Sequence, residues 1–170
     1  MAQVTRLNHA VLYVSDLSRS LDFYERALGF RVVDRMGDQA VFLRAAETQN
    51  HHDLALMSVG QDAHRPAPRS VGLYHLAWQV ATIEELAEMA ARLTEMNALA
   101  GMSDHGVSKS LYAKDPDGIE FEIMFEVPRE AWGEYAQQAV VLPLNLDREL
   151  KRFGKSAAAA TNVVRTADES

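Results

Sequence analysis

Gly72-Leu-Tyr-His-Leu-Ala-Trp-Gln-Val80 reads as a strand whose apolar run is interrupted by one imidazole, His75. Alternation places His75, Ala77 and Gln79 on one face and Leu76, Trp78 and Val80 on the other. A strand of the same build, Leu7-Asn-His-Ala-Val-Leu-Tyr-Val14, lies 66 residues upstream with His9 at the matching place. At that offset Val14 falls on Val80, Asp16 on Thr82 and Leu17 on Ile83. An internal repeat is therefore the organising fact of the chain.

Each repeat reads as βαβββ. In the first, Ser15-Asp16 opens a helix marked by Leu17, Leu21, Tyr24 and Leu28, and Gly29 closes it. Strands follow over 30–34, 39–45 and 52–59. In the second, Thr82-Ile-Glu-Glu85 is a capping box, and Ile83, Leu86, Ala90, Leu93 and Asn97 trace one helical face. Strands are expected over 98–102, 108–114 and 119–127, the last two joined by the turn Asp115-Pro-Asp-Gly118. Lys109 and Lys114 are expected to face solvent. A four-stranded sheet with one helix cannot bury both of its faces alone. The expected fold is α+β, with paired βαβββ modules forming a cupped, barrel-like mixed sheet around a metal cavity. The modules span 1–60 and 72–127, joined by a linker at 61–71. Residues 128–153 form a helical and extended extension, and 154–170 an unstructured tail.

Composition narrows the chemistry. Of 170 residues, 48% are hydrophobic and 24% charged, as in ordinary globular proteins. A net charge of −7 gives no footprint for nucleic acid. No apolar run reaches membrane-spanning length and no signal region precedes the first strand, so a cytoplasmic protein is expected. There is no cysteine, which leaves His and carboxylates as metal ligands. Glu122 shares a strand face with Glu120 and Met124, opposite Phe121, Ile123 and Phe125. Two histidines and a carboxylate turned to one cavity make a three-ligand metal site with open positions. Stepping back from Glu122 by the repeat offset lands on Leu56, which cannot ligate, so no fourth protein ligand is expected. His51 and His64 are read as solvated.

Several segments resemble the vicinal oxygen chelate superfamily (glyoxalases, bleomycin resistance proteins and extradiol dioxygenases). They are Asn8-His-Ala-Val-Leu-Tyr-Val-Ser-Asp-Leu17, His52-Asp-Leu-Ala-Leu56, Tyr74-His-Leu-Ala-Trp-Gln-Val80, Asp104-His-Gly-Val-Ser108 and Tyr112-Ala-Lys-Asp-Pro-Asp-Gly-Ile-Glu-Phe-Glu122. Within it, the type I extradiol ring-cleaving dioxygenases (catechol 2,3-dioxygenase-like) resemble the chain most. That resemblance implies His9, His75 and Glu122 as ligands of Fe(II), with Mn(II) or another divalent ion as alternatives. It implies His52 and His105 as acid/base and oxygen-stabilising groups, and Tyr112 as a hydrogen bond to a substrate oxygen. The implied substrates are an aromatic diol and O2. A homo-oligomer is expected, with no nucleic-acid or membrane partner. The competing functions are a glyoxalase-type metal-dependent isomerase or lyase, and a non-catalytic ligand-binding protein of the resistance type.

Overall fold

The computed structural model describes residues 1–67 and 69–155. Of the tail expected over 154–170, Gly154 and Lys155 are described, Gly154 being buried and donating its N–H to the Leu150 carbonyl at 2.9 Å, and the remainder lies outside the described residues. The architecture is α+β, with two mixed sheets of four and five strands, each open and neither closed into a barrel. No helix among the described residues is long and apolar enough to cross a membrane. The chain divides into two compact units. The first is Met1–Leu73 with Asp115–Ile119; the second is Tyr74–Lys114 with the described residues from Glu120 onward.

The first unit contains β1 (Ala10–Val14), α1 (Leu17–Leu28), β2 (Arg31–Met36), β3 (Ala40–Arg44) and β4 (Leu54–Ser58). Its sheet runs β1-β4-β3-β2, with β1 and β4 parallel and the other pairs antiparallel. Both ends of α1 are set locally. The Asp16 side chain accepts the Arg19 N–H at 3.0 Å, and Gly29 turns left-handed at φ 71°. Leu21, Phe23, Tyr24 and Ala27 are buried on the helix, and Leu12, Val14, Val41, Leu43, Leu54 and Leu56 are buried in the sheet. Leu56 is fully buried, so Leu56→Ala should cost about 2–5 kcal/mol in chemical denaturation.

The turn Asp115–Ile119 belongs to this first unit although its flanking strands belong to the second. Asp115 accepts the N–H groups of Asp117 and Ile119 at 2.9 and 2.8 Å, and the Tyr24 hydroxyl donates to it at 3.2 Å. Asp117 receives Ser15 through backbone N–H and hydroxyl, plus Arg19 and Arg65 at 2.9 and 2.8 Å. Burial opposes the Asp117 charge, but these hydrogen bonds and cations outweigh it and hold the carboxyl below its ordinary 3.8. A depressed folded-state pKa stabilises the protein above the unfolded value, and the contribution disappears as pH falls through the folded value. The stability gap between wild type and Asp117→Asn, measured by urea midpoints, should therefore be full at neutral pH and shrink below pH 3.8.

The second unit contains β5 (Leu76–Val80), α2 (Ile83–Glu95), β6 (Leu99–Asp104), β7 (Ser108–Lys114), β8 (Glu120–Glu126), β9 (Leu142–Pro143) and α3 (Leu146–Phe153). The order is β5-β8-β7-β6-β9, and β5 and β8 are parallel. Thr82 and Glu85 form the complete capping box of α2. Ile83, Leu86, Ala90 and Leu93 are its buried face; Asn97 lies past the helix end at φ 54°. After Pro128 come two 3-10 turns, Arg129–Ala131 and Gly133–Gln137. The extended stretch then adds β9 to the edge of β6.

Two expectations are corrected by the ladders. Ala10 pairs with Leu54 but Leu76 pairs with Phe121, so the second half has gained one residue between its parallel strands. Glu122 lies opposite Ala77, the counterpart of Val11, and Val11 lies opposite Ala55. The first-half counterpart of Glu122 is therefore Ala55. Leu56 points to the helix-covered face, because residues facing one another across a ladder share a side. Alanine cannot ligate either, so the counterpart position, now Ala55, supplies no fourth ligand. The second correction is Lys109, which is 1% exposed. It lies opposite Phe125 and shares its face with Leu111 and Ala113.

Candidate metal and substrate site

Both repeated histidines sit one residue ahead of their strands, at the entries to β1 and β5. They occupy corresponding places, His9 in the first unit and His75 in the second. There the chain is no longer bound by its own ladder, yet the adjoining strand still aims the side chain.

In the second unit, Glu122 is flanked across the sheet by Ala77 of β5 and Tyr112 of β7. His75 lies diagonally from it on the same face, and its Nε2 is 3.0 Å from Glu122 Oε2. The small Ala77 side chain leaves this approach open. Both side chains are largely buried, at 24% and 12% exposure. The distance fits a hydrogen bond. It also fits two ligands of one divalent ion, since donors about 2.1 Å from a metal and at right angles stand about 3 Å apart. A borderline nitrogen beside a hard carboxylate oxygen suits iron, manganese or zinc. The His75 Nδ1 is buried without a hydrogen-bond partner.

Tyr112 lies next to this pair, its ring 5.7 Å from that of His75. Its hydroxyl is 2.8 Å from His105 Nε2, and His105 Nδ1 is 2.8 Å from the Val140 carbonyl. Burial, then the charge of Glu122 and the neighbouring Tyr74, raise the Tyr112 pKa, so the phenol keeps its proton. Tyr74 itself is held above its ordinary value by a hydrogen bond to Glu120. His75, Glu122, Tyr112 and His105 thus form one continuous polar group in the second unit.

In the first unit, a chain of side-chain amides sets the His9 ring. Asp53 is buried and accepts the Ala45 N–H, the Thr48 hydroxyl and the Asn50 amide. Asn50 Nδ2 donates to Asp53 at 2.8 Å and to the Asn8 carbonyl at 2.7 Å. Both partners only accept, so the Asn50 amide orientation is determined. Its oxygen accepts Asn8 Nδ2 at 3.2 Å, which turns the Asn8 oxygen toward His9 Nδ1 at 2.9 Å. Nδ1 then carries the hydrogen, and Nε2 is left with its lone pair, as a metal ligand requires. Neither asparagine was singled out from the sequence; Asn8 beside a ligand-like histidine was the available signal. The His52 ring lies 4.5 Å from that of His9, tilted by 46°, and its Nδ1 is 3.2 Å from His51 Nδ1. Burial, then the proximity of His9 and His51, lowers the His52 pKa, so the neutral ring is favoured. His51 is exposed, as expected.

The structure brings together His75 with Glu122, Tyr112 with His105, and His9 with His52. Among the described residues there is no group of three or more His, Asp or Glu side chains that could hold a metal ion.

The family model described as the Glyoxalase/Bleomycin resistance protein/Dioxygenase superfamily matches residues 6–123. Catechol-2,3-dioxygenase of Bacillus subtilis is 35% identical over 129 residues, covering 75% of this chain and 44% of that protein. Biphenyl-2,3-diol 1,2-dioxygenase 3 of Rhodococcus globerulus is 32% identical over 136 residues, covering 77% and 70%. A solved structure of a variant fosfomycin resistance protein, FosX of Listeria monocytogenes, complexed with Mn(II) and 1S,2S-dihydroxypropylphosphonic acid, superposes with a TM-score of 0.59 at 19% identity. It covers 78% of this chain and 99% of that one. This chain spans less than half the length of the Bacillus subtilis dioxygenase.

Proposed function

Because the chain belongs to the Glyoxalase/Bleomycin resistance protein/Dioxygenase superfamily, we propose that it is an extradiol dioxygenase. It takes a catechol-type diol and O2 and opens the ring beside the two hydroxyls, with a divalent ion, Fe(II) or Mn(II), held by His9, His75 and Glu122. The observation that carries this reading is the side-by-side placement of Glu122, His75 and the Tyr112–His105 pair on one sheet face. The dioxygenase relatives support it. A glyoxalase-type isomerase with a second ligating carboxylate finds only Ala55 at the counterpart of Glu122.

When bound, the ion would supply Lewis acidity that lowers the pKa of a catechol hydroxyl, about 10 when free, and a redox path to O2. The remaining roles belong to this chain's side chains. Glu122 and His75 are the ligands proposed from the second unit, and His9 is the one proposed from the first. The Asn8–Asn50–Asp53 chain presents His9 Nε2. Tyr112, held protonated, gives its single hydroxyl hydrogen to His105 Nε2 in the free site and turns it to an ionised diol oxygen when substrate binds, which leaves His105 Nε2 free to accept a proton. His52, favoured as the neutral base beside His9, takes a hydroxyl proton.

Anaerobic reconstitution with Fe(II) or Mn(II), followed by a panel of catechols in air, tests this reading. A yellow ring-cleavage product is expected. Turnover of a hemithioacetal or of fosfomycin, with none of any catechol, would replace it. Asn50→Leu should weaken metal binding about 10–100-fold in a competition titration, the usual effect of losing an orienting partner.

A further inference from the structure

We infer that the C-terminal extension is a positioning clamp for His105, setting which imidazole nitrogen carries the hydrogen and so directing Nε2 to Tyr112. The Val140 carbonyl can only accept, so at 2.8 Å it requires the hydrogen on His105 Nδ1. In the neutral ring Nε2 then accepts the Tyr112 hydroxyl at 2.8 Å. Val140 lies just ahead of β9, whose pairing with Ser103 and Asp104 registers it against the His105 turn.

The turn is held from below by a buried charge cluster. Asp104 accepts the Gly106 N–H at 2.8 Å and also binds Lys109. Its other oxygen takes Arg148 of α3 at 3.0 Å. Arg148 binds Glu149 at 2.6 Å, and Glu149, fully buried, lies 3.8 Å from the Lys109 ammonium. Lys109 also donates to the Gly106 carbonyl at 3.3 Å. Gly106 has φ 76°, and a Cβ there would fall 2.4 Å from the Tyr135 ring. The extension therefore grips the turn at three places: the His105 ring, the Gly106 backbone and the Asp104–Lys109 pair. Desolvating three charges, Asp104, Lys109 and Glu149, with Arg148 left at the surface, gives little net stability, whereas it does specify one arrangement. The extension's residues act through His105, as positioning residues. The catalytic consequence rests on the dioxygenase reading; the tautomer does not.

The test is long-range 1H–15N correlation on the full-length, metal-free protein at mildly alkaline pH, where imidazoles are neutral. His105→Gln identifies the signals. Wild type is expected to show His105 as a single Nδ1–H tautomer. Lys109→Met/Glu149→Leu, which replaces charges by apolar groups of similar size, should give a mixture of tautomers. Tyr135→Ala, which loosens the same turn without touching a charge, should do so too. With a catechol that the wild type turns over, both variants should lose kcat about tenfold or more, with KM within twofold. An Nε2–H tautomer in wild type would overturn the proposal, as would an undisturbed Nδ1–H signal in both folded variants. Absence of turnover by wild type would remove the dioxygenase reading and leave the clamp standing.

Discussion

Glu122→Ala should leave a folded protein that no longer retains stoichiometric metal and whose ring cleavage falls by more than about 100-fold. Loss of an orienting partner outside the ligand set already costs 10–100-fold in related metal sites, so loss of a ligand must exceed it. Folding should survive, because the side chain lies on the sheet face away from the helix-covered core and contributes nothing to that core. Glu120→Ala is the matched control. It lies on the same face but about 7 Å further along β8, opposite Lys114. It should keep metal and turnover within about twofold. Metal analysis of anaerobically purified variants, with turnover on the same samples, reads both. Equal loss in the two variants would mean that the acidity of the face matters and not the ligand.

Lys109→Ala should be among the most destabilising single changes in the chain, by about 3–5 kcal/mol in urea denaturation. It removes the cation that lies between Asp104 and Glu149 and leaves both carboxylates buried. Burial opposes the Asp104 charge, yet its bonds from Lys109 and Gly106, with the charges of Lys109 and Arg148, hold its pKa below 3.8. Asp104 therefore stays ionised at neutral pH and needs its partner. The double variant Lys109→Met/Glu149→Leu should lose much less than Lys109→Ala, because it removes both signs together. A single variant within 1 kcal/mol of wild type, a fivefold change in the folding equilibrium by the usual conversion, would mean that water reaches the vacated site.

What was legible in the sequence was local or periodic. Asp16, Gly29 and the Thr82–Glu85 box are read within one turn of the residues they serve, and all are found in place. Alternation places Glu122 and His75 on one face, and the ladder between β5 and β8 agrees. What was misread depended on registration between distant strands. A fixed repeat offset selects Leu56, whereas one added residue in the second half makes Ala55 the counterpart of Glu122. A solvent-facing Lys109 runs against strand parity, which puts it on the buried face with Leu111 and Ala113. Its partner Glu149 lies 40 residues away in an extension whose packing no motif announces. The Asn8–Asn50–Asp53 chain is hidden for the same reason: Asn50 and Asp53 bond locally, but Asn8 reaches Asn50 only once β1 and β4 pair.

The proposed reaction puts both atoms of O2 into the ring-opened product of a vicinal diol. Turnover of a catechol by the metal-loaded protein under 18O2, followed with an oxygen electrode and mass spectrometry of the product, measures this. One O2 consumed per catechol and two labelled oxygens in the ring-opened product are expected. Stoichiometric metal with no oxygen uptake on any catechol would contradict the proposed reaction.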